Sequence, residues 1–169
     1  VANTIGGICI GAMHNNTVVG FILSIPAVWN GQQTQWSCRL AVQQDAQNKG
    51  LGTQLKMAQQ ARIKELGLRT LMWSFNPLDT KNAHINLNKL GAHIVGFEYD
   101  MYPVPKGSRA IVQWNIDSTA QPSSQDPETR YINTPGTENP TDSQLQAFYD
   151  EINKAVVDGF IGTTIQPLP

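Results

Sequence analysis

The stretch whose residue types and spacing most clearly suit chemistry is Val42 to Gly52, VQQDAQNKGLG. An apolar, alternating segment ends there, a short polar loop follows, and glycines at 50 and 52 open a helical pattern. Glycine lets a backbone approach a ligand closely, and the first N–H groups of a helix have no partner within it. Those donors and the helix dipole suit an anion such as a pyrophosphate, and Lys49 adds a positive charge at the same point. The pattern is neither GxxxxGK[ST] nor GxGxxG, because the glycines are two apart and Thr53-Gln54 follows. Two readings stand at this level, an anion cradle and a plain strand-to-helix turn.

Other reactive side chains are scattered. His84 and His93 have the chemistry of bases, although a lone histidine more often packs or faces solvent. Cys9 and Cys38 match no metal or redox spacing, so no metal is expected and a reduced, cytoplasmic setting is the default. Asn15-Asn16-Thr17 is a chance-level sequon.

The elements that must position these residues follow from period. Gly6–Met13 and Thr17–Ile25 are β-branched runs around His14-Asn15-Asn16, a hairpin whose asparagines tolerate left-handed backbone. Pro26–Gln33 reads as a loop. Thr34–Val42 alternates, with Trp36, Cys38, Leu40 and Val42 expected on the buried face and Gln35, Ser37, Arg39 and Ala41 on the other. On that alternation Cys38 is a buried structural cysteine. Three strands with short links make an antiparallel meander. From Leu51 to Leu66 the period becomes helical, with Leu51, Leu55, Ala58 and Leu66 as the apolar stripe, Arg62 snorkelling from it and Gly67 closing it. Arg69–Phe75 is a strand, Asp79 caps a helix running to Leu90 before Gly91, and Ile94–Met101 and Ala110–Ile116 are further strands. The fold class is α/β (α+β): a mixed, largely antiparallel twisted sheet with helices on its faces and a C-terminal extension.

Composition divides the chain. Its 169 residues carry a net charge of -1, which argues against a dedicated nucleic-acid binder, and no apolar run reaches the roughly eighteen residues of a membrane-spanning helix. That near-zero sum hides ten Lys/Arg against six Asp/Glu in 1–117, and two against seven in 118–169. The basic share suits an anionic ligand. Residues 118–141 are rich in Pro, Ser, Thr and Gln and read as a linker. Thr141 and Gln144 form a capping box, and Leu145, Phe148, Tyr149, Ile152 and Val156 form a stripe that must dock on the body or on a partner.

Gln47-Asn48-Lys49-Gly50-Leu51-Gly52 matches the Q/R-x-x-G-x-G/A motif of the GNAT superfamily of N-acetyltransferases, in the setting that the superfamily requires. The segment Asn82 to Ala92 (NAHINLNKLGA) resembles the superfamily's second helix. With Trp73–Leu78 (WSFNPL) and Ile111–Trp114 (IVQW) it resembles a branch of predicted acyltransferases with a W-T-F-D-P-L and N-L-x-K-L-G-A signature. The resemblance spans roughly residues 6–117, taken with 1–5 as the core domain 1–117, ahead of the linker 118–141 and the helix and tail 142–169.

The resemblance implies binding of acetyl-CoA or another acyl-CoA, and transfer of an acetyl, succinyl or similar group to a primary amine of a small molecule or amino acid. Gln47, Asn48, Lys49, Gly50, Leu51, Gly52 and Thr53 would hold the pyrophosphate, and the backbone of Leu40, Ala41 and Val42 would pair with the pantetheine arm. The expected partners are the acyl-CoA and the amine, with no nucleic acid, membrane or metal, and a homodimer is compatible. The usual acid, a tyrosine on the second helix, is replaced by Leu87; Asn76 stands for the branch's aspartate and Cys38 for its histidine. That leaves Asn76, Asn82, Asn86, Tyr99 and Tyr102 as weak candidates at the reacting groups. Members of the superfamily also place a strand and two helices before the meander, where this sequence begins. The alternatives are an acyl-CoA-binding module without turnover and an interaction module docking a partner through its C-terminal helix.

Overall fold

A computed structural model describes residues 3–117, 131–135, 140–158 and 164–166. Strands β1 (Ile8–His14), β2 (Thr17–Trp29) and β3 (Gln32–Val42) form the antiparallel meander. Asn15 and Asn16, both at positive φ, make the first turn. The expected loop 26–33 is instead strand and turn: β2 runs on to Trp29, and Asn30-Gly31, also both at positive φ, turns the chain into β3. Asn-Gly is the residue pair that such a turn favours. Pro26 is tolerated because β1 pairs with β2 only as far as Ser24, so it lies where β2 has lost that neighbour.

α1 (Leu51–Glu65) follows β3 and leads into β4 (Thr70–Phe75), which pairs parallel to β3. β5 (His93–Glu98) and β6 (Arg109–Asn115) are antiparallel neighbours, and the six strands hydrogen-bond in the order β1-β2-β3-β4-β6-β5. The fold is the expected mixed, mostly antiparallel sheet with helices.

Two compact units divide the chain, residues 1–73 with 115–117, and 74–114 with 118–169. In the first, α1 packs on the meander through Leu55, Lys56, Gln59 and Ile63. The expected stripe is corrected: Ala58, Arg62 and Leu66 are exposed, and Arg62 pairs with Glu65 at 2.7 Å. The buried face advances by i, i+4, i+8 from Leu55 and accepts Gln59, a polar residue that a purely apolar stripe passes over. Gly20 permits the close approach, since a Cβ there would lie 3.3 Å from Leu55 Cδ1.

In the second unit, α2 (Thr80–Ala83) is capped by Asp79, whose Oδ1 accepts from Asn82 N–H at 3.0 Å. It continues as a π-helical segment, His84–Lys89, before Gly91 at φ 69°. α3 (Asp142–Val157) begins with the expected capping box and buries Phe148, Tyr149, Ile152 and Ala155. It docks on the chain's own β5: the Phe97 and Tyr149 rings lie 5.2 Å apart, and Tyr99 Oη–H donates to Asp150 at 2.6 Å. Within the expected linker, Tyr131–Asn133 is a strand, β7, paired parallel with β8 (Thr164–Gln166), and Ile132 is buried. Residues 118–130 of that linker lie outside the described residues.

Candidate functional site

The loop after β3 is held by its own side chains. Gln47 Nε2 donates to Val42 O at 3.0 Å and Lys49 Nζ to Asp45 O at 2.9 Å. Asn48 and Gly50 both adopt positive φ, at 60° and 79°. Gly50 is the N-cap of α1, and the first intrahelical bond runs from Gln54 N–H to Gly50 O. The N–H groups of Leu51, Gly52 and Thr53 therefore point out of the helix start with no carbonyl below them in the helix. Residues 47–50 are exposed. The geometry is an open helix start with the backbone donors an anion needs, and its glycines leave room: a Cβ at Gly50 would meet nothing within 4 Å, and one at Gly52 only Leu40 Cδ2 at 3.6 Å.

Next to that loop, β3 pairs with β2 through Val42 but has no ladder partner there on its β4 side. Its parallel pairing with β4 covers only Gln35↔Leu71 and Trp36↔Met72, after which the two strands part. Residues 38–41 are exposed, including Leu40 at 41%. A β-bulge marks the same place, because Leu23 pairs with Arg39 and Ser24 with Ser37, leaving Cys38 as the extra residue. The expected alternation is thus corrected: Cys38 is exposed and Leu40 largely so, whereas Gln35 and Ser37 are buried. The bulge interrupts the period of two, and the loss of β4 as a neighbour uncovers the end of β3. Leu40 and Ala41 are exposed and Val42 is half-buried, and the chain leads from them through one short loop into residues 47–53.

Beneath the bulge lies a polar cluster that the sequence reading passed over. Gln35 Nε2 donates to Gly6 O at 2.9 Å and its Oε1 accepts from Ser24 Oγ–H at 2.9 Å. Ser37 Oγ–H donates to Gln59 Oε1 at 3.1 Å, and Lys56 Nζ donates to Ser37 Oγ at 3.0 Å. Lys56 is 7% exposed, and its Nζ lies 3.7 Å from the centroid of the Trp73 ring. Burial lowers its pKa from 10.5 to about 7. No pattern singled it out, because lysine at one helical position beside an apolar residue ordinarily reaches solvent.

The weak catalytic candidates have structural partners. Asn76 Oδ1 accepts from Leu78 N–H at 3.0 Å, closing the turn before α2. Asn86 is buried and donates to Asn82 Oδ1 at 3.3 Å. Tyr99, bonded to Asp150, has its pKa raised to about 12, first by desolvation and then by that carboxylate. Tyr102 is exposed and lies under the Arg109 guanidinium, 4.8 Å from ring centroid to Cζ. Leu87, at the place of the expected tyrosine, is buried. Burial lowers the His93 pKa. Among the described residues no three His, Cys, Asp or Glu side chains converge on a metal-sized site, and no helix is long and apolar enough to cross a membrane.

The sequence model of the Acetyltransferase (GNAT) family matches residues 3–91. No curated protein matches by sequence. Among solved structures, a GNAT family acetyltransferase from Elizabethkingia anophelis with acetyl-CoA bound is 22% identical, with a TM-score of 0.56 over 68% of this chain and 78% of that one. A Bacillus subtilis acetyltransferase in complex with CoA is 18% identical, with a TM-score of 0.56 over 64% and 76%. An aminoglycoside 6'-acetyltransferase type Ii is 21% identical, with a TM-score of 0.55 over 68% and 72%. At these identities the likeness is one of fold.

Proposed function

Because this chain belongs to the GNAT acetyltransferase family, we propose that it transfers an acyl group from acyl-CoA to a primary amine of a small molecule or amino acid. The observation that carries this reading is the helix start at Gln47–Thr53 continuous with the end of β3, which pairs with β2 on one side and has no ladder to β4 on the other. The N–H groups of residues 48–53 would hold the CoA pyrophosphate, and the backbone of Leu40–Val42, on the side away from β2, would pair with the pantetheine arm. The acyl-CoA supplies an activated thioester. The protein's part is to position the acceptor against it and to manage the proton that the amine loses. The acyl-CoA-binding core is taken as residues 1–117, with 118–141 joining it to 142–169. The free thiols of Cys9 and Cys38 fit a reducing compartment such as the cytoplasm.

Calorimetry with acetyl-CoA and succinyl-CoA tests the reading, with Gly50→Asp and Gly52→Asp as controls that put a carboxylate in the cradle. Saturable binding by the wild type that both variants lose is the expected result; no binding by the wild type refutes the proposal. A second reading, acyl-CoA binding without turnover, is favoured by the buried Leu87 where an acid is expected. Thiol release above background with a panel of primary amines rules it out. The docking-module alternative is weakened, because α3 spends its apolar stripe within the chain.

A further inference from the structure

Lys56 occupies an unusual place for a lysine. The parallel ladder between β3 and β4 ends at Trp36↔Met72, and Lys56 reaches the next residue of each strand. It bonds Ser37 on β3 at 3.0 Å and lies 3.7 Å over the ring of Trp73 on β4. Its amine therefore spans the fork at which the strands separate, beside the bulged Cys38. It contacts Ser37 from β3 and the Trp73 ring from β4, Ser37 in turn bonds Gln59, and none of the three ionises near neutral pH. Among the described residues no charged group offsets the burial, which alone moves its titration. A lysine kept for structure normally snorkels to water or pairs with a carboxylate. An apolar side chain would fill this position without the desolvation cost.

We propose that Lys56 and Ser37 form the proton relay of acyl transfer, with Ser37 at the reacting amine and Lys56 behind it. The inference rests on the acyl-CoA reading above, which lays the pantetheine arm along Val42 to Leu40 and so carries the thioester toward the fork. The acceptor attacks as the free amine: its nitrogen forms a bond to the thioester carbonyl carbon, and the carbon–sulfur bond breaks with its electron pair going to sulfur. The amine proton passes to Ser37 Oγ as the Ser37 hydroxyl proton passes to Lys56 Nζ. The CoA thiolate then takes a proton back through the same pair, and Lys56 returns to its neutral form. A titration midpoint near neutrality leaves much of Lys56 able to accept that proton at pH 7. At rest the Ser37 hydroxyl donates to Gln59 Oε1, and for the transfer it turns its proton to the neutral Lys56 Nζ, so Gln59 is a positioning residue that holds the hydroxyl between turnovers.

The test uses the full chain as wild type, Lys56→Met, Lys56→Gln and Ser37→Ala. Acetyl-CoA affinity is measured by calorimetry, thiol release with primary amines is followed from about pH 5.5 to 9.5, and the lysine 13Cε resonances are titrated by NMR. The wild-type kcat/KM should fall on the acid side with a midpoint near that of the Lys56 resonance. Both Lys56 variants should lose that limb and about a hundredfold or more in kcat, with Kd for acetyl-CoA within about threefold. Ser37→Ala should lower kcat while Lys56 still titrates near neutrality. A wild type that binds and turns over acetyl-CoA, with Lys56 variants that keep the limb or stay within about threefold in kcat, overturns the relay alone. So does a Lys56 resonance that titrates like an ordinary lysine, or binding by the wild type without thiol release. Absence of acetyl-CoA binding by the wild type overturns the acyl-CoA reading and the relay with it.

Discussion

Replacing Lys56 with methionine should make the protein more stable, by an amount that depends on pH. Lys56 is 7% exposed, and burial lowers its pKa from 10.5 to about 7. Each pH unit between a group's unfolded and folded midpoints is worth about 1.4 kcal/mol. The buried amine therefore costs the fold about 4 to 5 kcal/mol at pH 7 and below. The sign follows from proton counting. Between pH 7 and 10.5 the unfolded chain holds a proton that the folded chain has given up, so wild-type stability rises with pH by about 1.4 kcal/mol per unit. Below pH 7 both states are protonated and the full cost is present; above 10.5 it is gone. Methionine has no such cost, keeps most of the volume and leaves Ser37 bonded to Gln59. Losing the hydrogen bond to Ser37 and the contact with Trp73 offsets about 1 to 2 kcal/mol of the gain. The net expectation is a variant about 2 to 4 kcal/mol more stable near pH 6.5, with the advantage shrinking steadily toward pH 9.5. Urea denaturation of both proteins at four pH values measures the difference directly, and groups common to both cancel. A difference that stays flat with pH within about 0.5 kcal/mol, or a destabilised variant at pH 6.5, would refute the reasoning.

The cradle, the helix cap and the docking of α3 give further expectations. Gly50→Ala should cost about 1 kcal/mol in urea denaturation, because its φ of 79° strains any residue with a Cβ although nothing lies within 4 Å. Gly52→Ala meets only ordinary contact with Leu40, so stability should hold within about 0.5 kcal/mol while acetyl-CoA affinity falls about tenfold by calorimetry; unchanged affinity would count against close approach of a ligand there. Thr141→Ala removes the capping box of α3 and should cost about 1 kcal/mol. Ile152→Ala hollows the fully buried contact surface of α3 and should cost about 2 to 5 kcal/mol, and a near-neutral result would mean that the helix does not dock as described.

Much of the architecture was legible because it is written in local period. The change from alternation in Thr34–Val42 to helical spacing after Leu51 marked both elements, and the glycines at 50 and 67 marked the ends of α1. Asp79 and the Thr141–Gln144 pair marked helix starts through side-chain chemistry that needs no distant partner. The failures came where tertiary neighbours override period. Pro26 looked like a breaker, yet it sits past the last β1 pair, where its missing N–H costs nothing. The face of β3 was assigned by alternation, which the bulge at Cys38 interrupts.

By itself the sequence determined the order of elements from β1 to β6, the start of α3, the glycine-bearing loop at the start of α1 and, through Gln47–Gly52, the family-like setting of that loop, but not β7 or β8. Each of these depends on residues within a turn or two of one another. Only the tertiary structure decided that β3 and β4 pair through two positions and then part, that Cys38 is exposed on a bulge, and that Lys56 lies across the fork against Ser37 and Trp73. Those features join residues 37, 56 and 73, which no periodicity connects. Whether a lysine is a solvated surface charge or a buried amine with a lowered pKa depends on the water that packing removes from around it.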